Sequence, residues 1–534
     1  MITHAFSALS RSQLEEHLLT TTQEVEALRL KVAYYEEQLK LKKLKEFGTK
    51  SEKTDPNQLS FFNEAEESSD PAIAEPKAEK VCPVKRKKQK GKKAQIIRTL
   101  PKETVTYTLT EEEAVCPDCG NAMHEMKKQI HNEIELIPAK VILKEHVQQI
   151  YSCRNCEITS TKVPVITAPM PSPLLRGSLL SPSMGAHLCC RKYENRDPIE
   201  KIAGDFQREG IQLSKQTLSN WVLALANQYL QPVYNQMQEH LLASDIVHAD
   251  ETRIQVLHEP ERDPKTKSYM WLYRTGKDHV PIVLYAYSPT RRQEEPERFL
   301  EGFRGYLQTD GYAGYGTVGK QEASSGKEQQ VIRVGCMSHV RRYYWDAEKA
   351  LPKDSLLGET LKRGIDYCNT LFALDQKVKQ LEEQQQIASF KEEKIRPVFE
   401  AFFAWADAQS DTSLPKGKFQ QAITYTKNQK KFLMNYLKEP RLEISNNLAE
   451  RAIRPFVMGR KNWLFCNTPK GAHSSAVIYS VMQTALENNL SPFPYFQHLF
   501  DQLRKIDLTN TSAIDALLPW SKSLPDECRT PRMD

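Results

Sequence analysis

Strand-like and helical runs follow one another in a fixed order between residues 245 and 335, and this order constrains the fold more than any other feature. Five strands are predicted at 245–257, 268–274, 280–287, 305–311 and 330–335, with one helix at 296–303. Gly276 and nearby charged residues separate the second and third strands, as a hairpin requires. We therefore expect an α/β domain whose first part covers residues 239–350.

Three acidic residues lie on these elements and on a later helix. Strand alternation puts Asp250 on a partly apolar face and Glu251 on the other face, where it meets solvent or pairs with a base. Asp310 ends a strand in an ordinary Asp-Gly turn, and Glu450 has Arg454 four residues on as a helical partner. Each acid alone has a structural explanation. Together, on two strands and a helix, they form a candidate Mg²⁺ site in a domain with the element order of an RNase H-like fold.

The N-terminal segment carries heptad spacing and then a basic run. Apolar residues recur at three-four spacing from Leu18 to Leu39, which predicts a coiled-coil helix within 1–47; a single helix packed on its own protein is the alternative. Residues 48–105 are polar and contain prolines, so we expect a disordered basic linker. Seven cations in nine positions make a solvated run or, if neighbouring domains agree, a nucleic-acid contact. This run begins with Lys85, Arg86, Lys87 and Lys88.

Two CxxC pairs, Cys116 with Cys119 and Cys153 with Cys156, lie in residues 106–160. The N-terminus lacks the pattern of a signal peptide, and thiols in the cytoplasm stay reduced, so the 11 cysteines need a use other than disulfides. Each pair can place two thiolates on one metal, and both together complete a tetrahedral Zn²⁺ site. Redox dithiols are the alternative. Four protein ligands leave no open position, so a structural role is expected.

Residues 161–238 have the outline of a helix-turn-helix. Pro198 starts one helix, Gly210 breaks it, and Ser214 caps a second. An ordinary helical hairpin has the same outline. If the region binds DNA, the side chains facing the groove are Lys215, Gln216 and Asn220. The longest uncharged stretch, 216–238, is interrupted by amides and a proline and cannot span a membrane, so a cytoplasmic protein is expected.

Motifs along nearly the whole chain resemble the DDE transposases of the IS-sixty-six group of bacterial insertion sequences. They are "HADET", "LQTDGYAGY", "GCMSHVRR", "NNLAERAIRPFVMGRKNWLF", "FGTKSEK", "GIQLSKQTLSNWV", the CxxC pairs and the closing "ALLPW". The resemblance implies that Asp250, Asp310 and Glu450 are a catalytic triad holding Mg²⁺ or Mn²⁺. It also implies that Cys336 and His339 support the site.

The resemblance further implies a helical insertion between the second and third acids. The 140 residues from Asp310 to Glu450 allow one at 351–440, followed by the second part of the core at 441–500 and a C-terminal tail at 501–534. Many relatives have Asp where this chain has Ser445, before the paired Asn. This position is not part of the triad, so the difference bears on local substrate contacts rather than on the chemistry.

The expected function is a DNA transposase of the bacterial cytoplasm, associated with the nucleoid. It would bind the terminal repeats of its element, cut there, and join the freed 3′ ends to target DNA by two-metal phosphoryl transfer. Residues flanking the third acid would hold DNA phosphates: Arg451, Arg454, Arg460 and Lys461. Trp463 would either stack on a base or lie in the core.

The resemblance also bears on partners and on rival functions. The coiled coil would pair subunits into a homodimer or a higher oligomer on DNA, and small accessory proteins of the same element are further candidate partners. Two other functions fit the same residues. One is a DNA-binding regulator with an inactive RNase H-like domain, and the other is a nuclease that cuts without joining.

Overall fold

The computed structural model describes residues 141–152, 165–316, 318, 331–350, 357–409 and 417–531, with eight helical residues between Leu18 and Leu39. The linker 48–105, its basic run and the four cysteines predicted to bind zinc lie outside the described residues. The chain divides into two compact units, one of Met1–Asn63 with Pro171–Asp534 and one of Glu64–Met170. In the described parts, no helix is long and apolar enough to cross a membrane.

The N-terminal helix presents a row of exposed apolar side chains. Leu18, Val25, Val32 and Leu39 are helical, follow one another at seven-residue spacing, and are 42–70% exposed. This row is therefore not buried against the described part of the same chain, which was the alternative to a coiled coil.

The smaller unit contains a short antiparallel hairpin of β1 (Ile150–Ser152) and β2 (Val165–Thr167). The connection between these strands carries Cys153 and Cys156 and lies outside the described residues. The hairpin strands thus flank the second CxxC pair.

The main sheet has five strands in the spatial order β5-β4-β3-β6-β7. They are β3 (Ile246–Gln255), β4 (Lys267–Thr275), β5 (Val283–Ser288), β6 (Gly305–Gln308) and β7 (Val331–Val334). Strands β3, β4 and β5 are antiparallel neighbours, whereas β6 is parallel to β3 and β7 is parallel to β6. Strands β3, β6 and β7 lie within predicted runs, whereas β4 extends one residue beyond its run at both ends and β5 extends one residue beyond its run at the C-terminal end.

Helices precede the sheet in the same compact unit. They are α1 (Pro182–Cys189), α2 (Ile199–Arg208), α3 (Lys215–Ala224) and α4 (Gln231–Leu242). As predicted, Pro198 precedes α2, Gly210 occupies the turn with a φ of 82°, and the Ser214 side chain caps α3 by accepting from the Thr217 N–H. Apolar residues of these helices belong to the same core as the sheet: Ile202, Phe206, Leu218, Trp221 and Val222. The helices between Pro182 and Leu242 therefore pack onto the α/β domain.

A short helix, α5 (Glu294–Phe299), follows β5, and α6 (Met337–Ala350) follows β7. The described part of residues 351–440 is helical, with α7 (Gly358–Val378), α8 (Gln384–Phe390), α9 (Arg396–Ala408) and α10 (Lys418–Met434). Together with α6, these helices enclose a second core rich in aromatic residues, such as Tyr344, Phe399, Phe402 and Trp405. Helix α7 ends at Val378, and α8 begins at Gln384.

The buried Lys391 fastens this insertion to the segment before the third acid. Its ammonium donates to the carbonyls of Tyr436 (3.3 Å), Glu439 (3.0 Å) and Leu442 (3.0 Å). Burial lowers the pKa of Lys391 to about 7. The three carbonyls offset part of the cost of burying this cation.

The C-terminal elements are α11 (Asn447–Trp463), α12 (Pro469–Glu487), α13 (Pro492–Leu503) and α14 (Thr511–Asp515). Helix α12 covers the edge strand β5: the hydroxyls of Ser480 and Thr484 accept from the N–H groups of Tyr285 (2.8 Å) and Val283 (3.0 Å). The tail predicted at 501–534 is wrong for its described part. Its apolar residues are buried in the main core: Leu503, Ile514, Leu518 and Leu524.

Gly305, at the start of β6, has a φ of 138°, and an added Cβ would lie 2.2 Å from the Asp245 carbonyl oxygen. We expect Gly305→Ala to lower the melting temperature by several degrees, because strain and overpacking each cost about 1–3 kcal/mol. Gly302 is the matched control: its φ is 88°, but nothing lies within 4 Å of an added Cβ. Thermal unfolding of both variants measures the clash. Equal drops in melting temperature for the two variants would show that backbone strain, without the clash, explains the effect at Gly305.

Candidate active site

The three predicted acids converge from separate elements. Asp250 lies on β3, Asp310 lies two residues beyond β6, and Glu450 lies in the first turn of α11. The parallel β3–β6 pairing puts His248 opposite Gln308, and the same register continued by two residues puts Asp310 beside Asp250. The three carboxylates therefore occupy one region at the end of β6.

The neighbouring acids act on the ionisation of Asp250. The pKa of Asp250 is raised well above its usual range, first by burial and then by the charges of Glu251, Glu450 and Asp310. One opposing contact is the Glu251 backbone N–H, which donates to Asp250 Oδ1 at 2.8 Å. Such a group of like charges is unfavourable unless protons or a cation neutralise it.

Glu450 is buried without the helical partner that the sequence offered. Its side chain is 5% exposed, and neither carboxylate oxygen has a hydrogen-bond partner. Its nearest ion-pair partner among the described residues is His339, with Nδ1 3.6 Å from Oε1, rather than Arg454. Burial is the main reason that the pKa of Glu450 rises to about 8. Two carboxylate oxygens without hydrogen bonds in a buried acid fit a site that receives a cation.

Asp310 also makes the turn that was its structural alternative. Its Oδ1 accepts from the Tyr312 N–H at 2.9 Å, and the Arg333 guanidinium donates to its backbone carbonyl at 3.2 Å. These contacts fix the residue without giving its carboxylate a basic side-chain partner among the described hydrogen bonds and ion pairs. The turn and a role in the acidic cluster are therefore compatible.

Cys336 and His339 lie at the start of α6, against Glu450. One ligand atom from each of these three residues lies within 4.8 Å of the other two. A soft thiolate does not suit Mg²⁺, and burial raises the pKa of the Cys336 thiol. Its sulfur already accepts from the Asn446 N–H at 3.2 Å. This geometry favours the supporting position that was expected for Cys336.

His248 and Asn446 join β3 to the start of α11, a contact that the sequence reading missed. The His248 Nδ1–H donates to Asn446 Oδ1 (3.0 Å), and Asn446 Nδ2 donates to the Ala249 carbonyl (2.8 Å). Burial lowers the pKa of His248 to about 4, which keeps the ring neutral. Asn446 also accepts from the Glu450 N–H, so the pair sets Glu450 relative to the strand of Asp250.

Glu251 faces a base and not solvent. Its side chain is 3% exposed and accepts from Arg291 Nε at 2.8 Å and from the Tyr315 hydroxyl at 2.7 Å. The Arg291 guanidinium stacks over the Tyr312 ring, 3.7 Å from its centroid. Because Tyr312 and Tyr315 belong to the turn after Asp310, Glu251 holds this turn from the face opposite Asp250.

The basic residues of α11 have two kinds of environment. Arg451 and Arg454 are exposed, and Lys461 is half-buried. Arg460 donates to the Thr252 hydroxyl at 3.2 Å and to the Arg253 carbonyl. The helix therefore presents cations along its length, and Arg460 ties its last turn to the strand of Asp250.

The predicted groove-facing residues of α3 are exposed. Lys215 pairs with Glu200 of α2 at 2.7 Å, and Gln216 Nε2 donates to Asn220 Oδ1 at 2.9 Å. These surface contacts are weak and can open when a partner binds. The basic run that begins at Lys85 lies outside the described residues.

Glu450→Gln should remove a pH dependence from the stability of the metal-free protein. An unfolded Glu ionises near pH 4.5, whereas the folded pKa is about 8, so wild type loses stability as the pH rises through this window. The melting temperature of the variant minus that of wild type, measured in EDTA, should grow from pH 5 to pH 8 and then level off. A difference that does not change with pH would contradict this prediction.

Comparison with protein families gives three matches along the chain. Residues 177–474, more than half of the chain, match the model described as "Transposase IS66 family". Residues 113–157, which contain all four predicted zinc ligands, match the "zinc-finger binding domain of transposase IS66". Residues 34–105 match "Transposase C of IS166 homeodomain". These matches indicate a zinc-binding domain, DNA as a partner and a DNA-processing enzyme of the transposase type.

Similar proteins occur in Sinorhizobium fredii, each named only as uncharacterized. Protein y4hP is 27% identical over 77% of this chain and 74% of its own length. Protein y4jD is 26% identical over 80% of this chain and 82% of its own length, and y4qI is 26% identical over 67% and 65%. These names state no activity. The match over residues 177–474 carries the assignment: the chain belongs to the IS66 transposase family.

Proposed function

We propose that this chain is a DNA transposase that binds the ends of its insertion sequence, cleaves there and joins the 3′ ends to target DNA. The observation that carries the proposal is the acidic cluster of Asp250, Asp310 and Glu450, in which neither Glu450 carboxylate oxygen has a hydrogen-bond partner. A protein that keeps three coupled acids in a partly buried site does so at a cost in stability, which a functional role explains.

The sheet supports an RNase H-like assignment for the domain that carries the cluster. Three antiparallel strands are followed by two parallel ones on the other side of β3. The acids come from the central strand, from the end of its parallel neighbour and from a helix packed on the sheet, which is the arrangement that the family resemblance implies.

Asp250, Asp310 and Glu450 are the residues that would hold Mg²⁺ or Mn²⁺. Carboxylate oxygens are the ligands that these hard cations prefer. When bound, the ions supply positive charge that stabilises the attacking and leaving oxygens of a phosphodiester. The chain positions the ligands from outside: His248 and Asn446 fix Glu450 relative to β3. Glu251, with its partners, fixes the turn after Asp310.

The chemistry needs two displacements at phosphorus. In cleavage, a water oxygen bonds to phosphorus and the bond to the 3′-oxygen of the element's end breaks, leaving a 3′-hydroxyl. In joining, that 3′-oxygen bonds to a phosphorus of the target, and the target's own 3′-oxygen leaves. Arg451 and Arg454, exposed on the helix of Glu450, would hold phosphates near this site.

The N-terminal parts would select and pair the ends. The zinc-binding domain, the basic run and the α2–α3 pair would bind the terminal repeats. The exposed heptad row from Leu18 to Leu39 would pair two subunits as a coiled coil, because it offers an apolar stripe at the required spacing. Small accessory proteins of the element would act with this assembly in the bacterial cytoplasm.

A strand-transfer assay tests the proposal. Purified protein would be incubated with Mg²⁺, target plasmid and duplexes carrying the two ends of the element that encodes the chain. Wild type should give joined products that EDTA and Glu450→Gln both abolish, whereas Glu301→Gln, at an exposed acid outside the cluster, should retain them. Cleavage without joining would replace the proposal with a nuclease. End binding without any chemistry would replace it with a regulator.

A further inference from the structure

The turn after α11 exposes two apolar side chains on a strained backbone. Leu464 has a φ of 65° and a ψ of −50°, and the Phe465 N–H donates to the Trp463 carbonyl at 2.8 Å. This is a γ-turn of the strained, positive-φ kind, which is rare outside glycine. Leu464 is 65% exposed and Phe465 is 43% exposed. Strain and exposure of large apolar groups thus coincide at one tip.

The base of this tip is rigid on both sides. Trp463 packs against the main core, with its ring centroid 5.6 Å from that of Phe456, which favours the core alternative for this residue. Cys466 is buried, and its backbone hydrogen-bonds to Gln255 at the end of β3 (2.9 Å) and to Leu257 just beyond the strand (3.0 Å). Because the residues on both sides are fixed by packing and by backbone hydrogen bonds, Leu464 and Phe465 are held in a solvent-facing position.

The charge beside the tip matches a nucleic acid. Arg460 and Lys461 lie in the last turn of α11, and Glu450 lies in the first turn of the same helix. At 1.5 Å per residue, Leu464 lies about 20 Å along the helix from Glu450. This is the length of about six base pairs of duplex at 3.4 Å each. A duplex held by the cations of α11 therefore reaches the tip when its scissile phosphate lies at the acids.

We propose that Leu464 and Phe465 form an apolar wedge that enters the base stack of the bound duplex about six base pairs from the phosphate at the acidic cluster. Proteins that kink DNA insert apolar side chains between base steps in this way. The proposal rests on the proposed function for the position of the DNA. It names a further contact with the substrate, made by residues that hold no metal and take no part in the chemistry.

The variant Leu464→Gly distinguishes two roles of this residue: insertion of its side chain into DNA, and formation of the turn by its backbone. Glycine adopts positive φ without strain, so the variant should keep or raise the melting temperature while it loses the wedge. Phe465→Ala removes the second side chain, and Met458→Ala is the control, because Met458 is 49% exposed on the same helix. Duplexes of the element's ends would carry 2-aminopurine at successive positions, since its fluorescence rises when the base unstacks.

Wild type and Met458→Ala should raise the fluorescence severalfold at one step near the sixth base pair, and the double variant Leu464→Gly/Phe465→Ala should not. Cleavage of paired DNA by the double variant should fall about tenfold, and a mismatch at that step should restore it, because the bases are then already unstacked.

If wild type cuts without any fluorescence change, the wedge is refuted while the proposed function stands. A fluorescence change without cutting would keep the wedge and reject the transposase. A double variant that turns a dimer into a monomer in light scattering would assign the tip to a subunit contact and refute the wedge.

Discussion

Asp250→Asn is expected to lower the rate of DNA cleavage by about a thousandfold and to raise the melting temperature of the metal-free protein. The amide keeps the shape of the side chain but removes a negative charge from the ligand set, and metal-assisted charge stabilisation contributes several kcal/mol to such reactions. The gain in stability has the same cause. Burial, and then the charges of Glu251, Glu450 and Asp310, oppose the ionised form of Asp250 in the folded protein, whereas an unfolded Asp is freely ionised at neutral pH.

The two effects are measured on one preparation. Single-turnover cleavage in Mg²⁺ gives the rate, and thermal unfolding in EDTA at pH 8 gives the stability. Asp346→Asn, at an exposed acid on α6, should change neither. An Asp250→Asn protein that cleaves at a tenth of the wild-type rate or faster would remove Asp250 from the ligand set. A melting temperature of Asp250→Asn below that of wild type would show that repulsion among the acids does not destabilise the folded protein.

Local patterns in the sequence predicted the elements that carry the site. The alternation of 245–257 placed Asp250 on the inner face of a strand, and Pro198, Gly210 and Ser214 located the turn between α2 and α3, because backbone preferences of single residues decide such features. The helical insertion before Glu450 was instead implied by the family resemblance. The expectation of a C-terminal tail failed at 501–531, because apolar residues of this segment are buried in the core.

Long-range pairings could not be predicted in this way. His248 and Asn446 are 198 residues apart, and no periodicity links a buried histidine to an amide on a distant helix start. The buried position of Glu251 depends on Arg291, which lies 40 residues on. The sequence allowed Trp463 to stack on a base or to lie in the core, and in the structure it is partly buried and packs against the core. The next two residues, Leu464 and Phe465, are exposed instead, because the backbone turns at Leu464.

Glu251→Ala is expected to lower both the melting temperature and the cleavage rate, although Glu251 faces away from Asp250. The carboxylate is almost fully buried and is the acceptor for Arg291 and Tyr315. Breaking a fully buried pair costs about 3–5 kcal/mol, and the 37% exposure of the Arg291 side chain lowers this to about 2–3 kcal/mol. The turn after Asp310 then loses its anchor, and misplacement of a reacting group by about 1 Å costs about a hundredfold in rate.

Glu251→Gln is the conservative comparison, because an amide oxygen still accepts from Tyr315 or Arg291 without the charge. It should keep most of the cleavage rate, whereas Glu251→Ala should lower kcat and leave the KM for DNA within about twofold, since the residue positions Asp310 without touching the substrate. Arg291→Ala should have a similar effect, and the double variant should be no worse than either single one. Additive losses in the double variant would mean that the two residues act separately. A hundredfold loss in Glu251→Gln as well would instead place the charge of Glu251 in the metal-binding cluster.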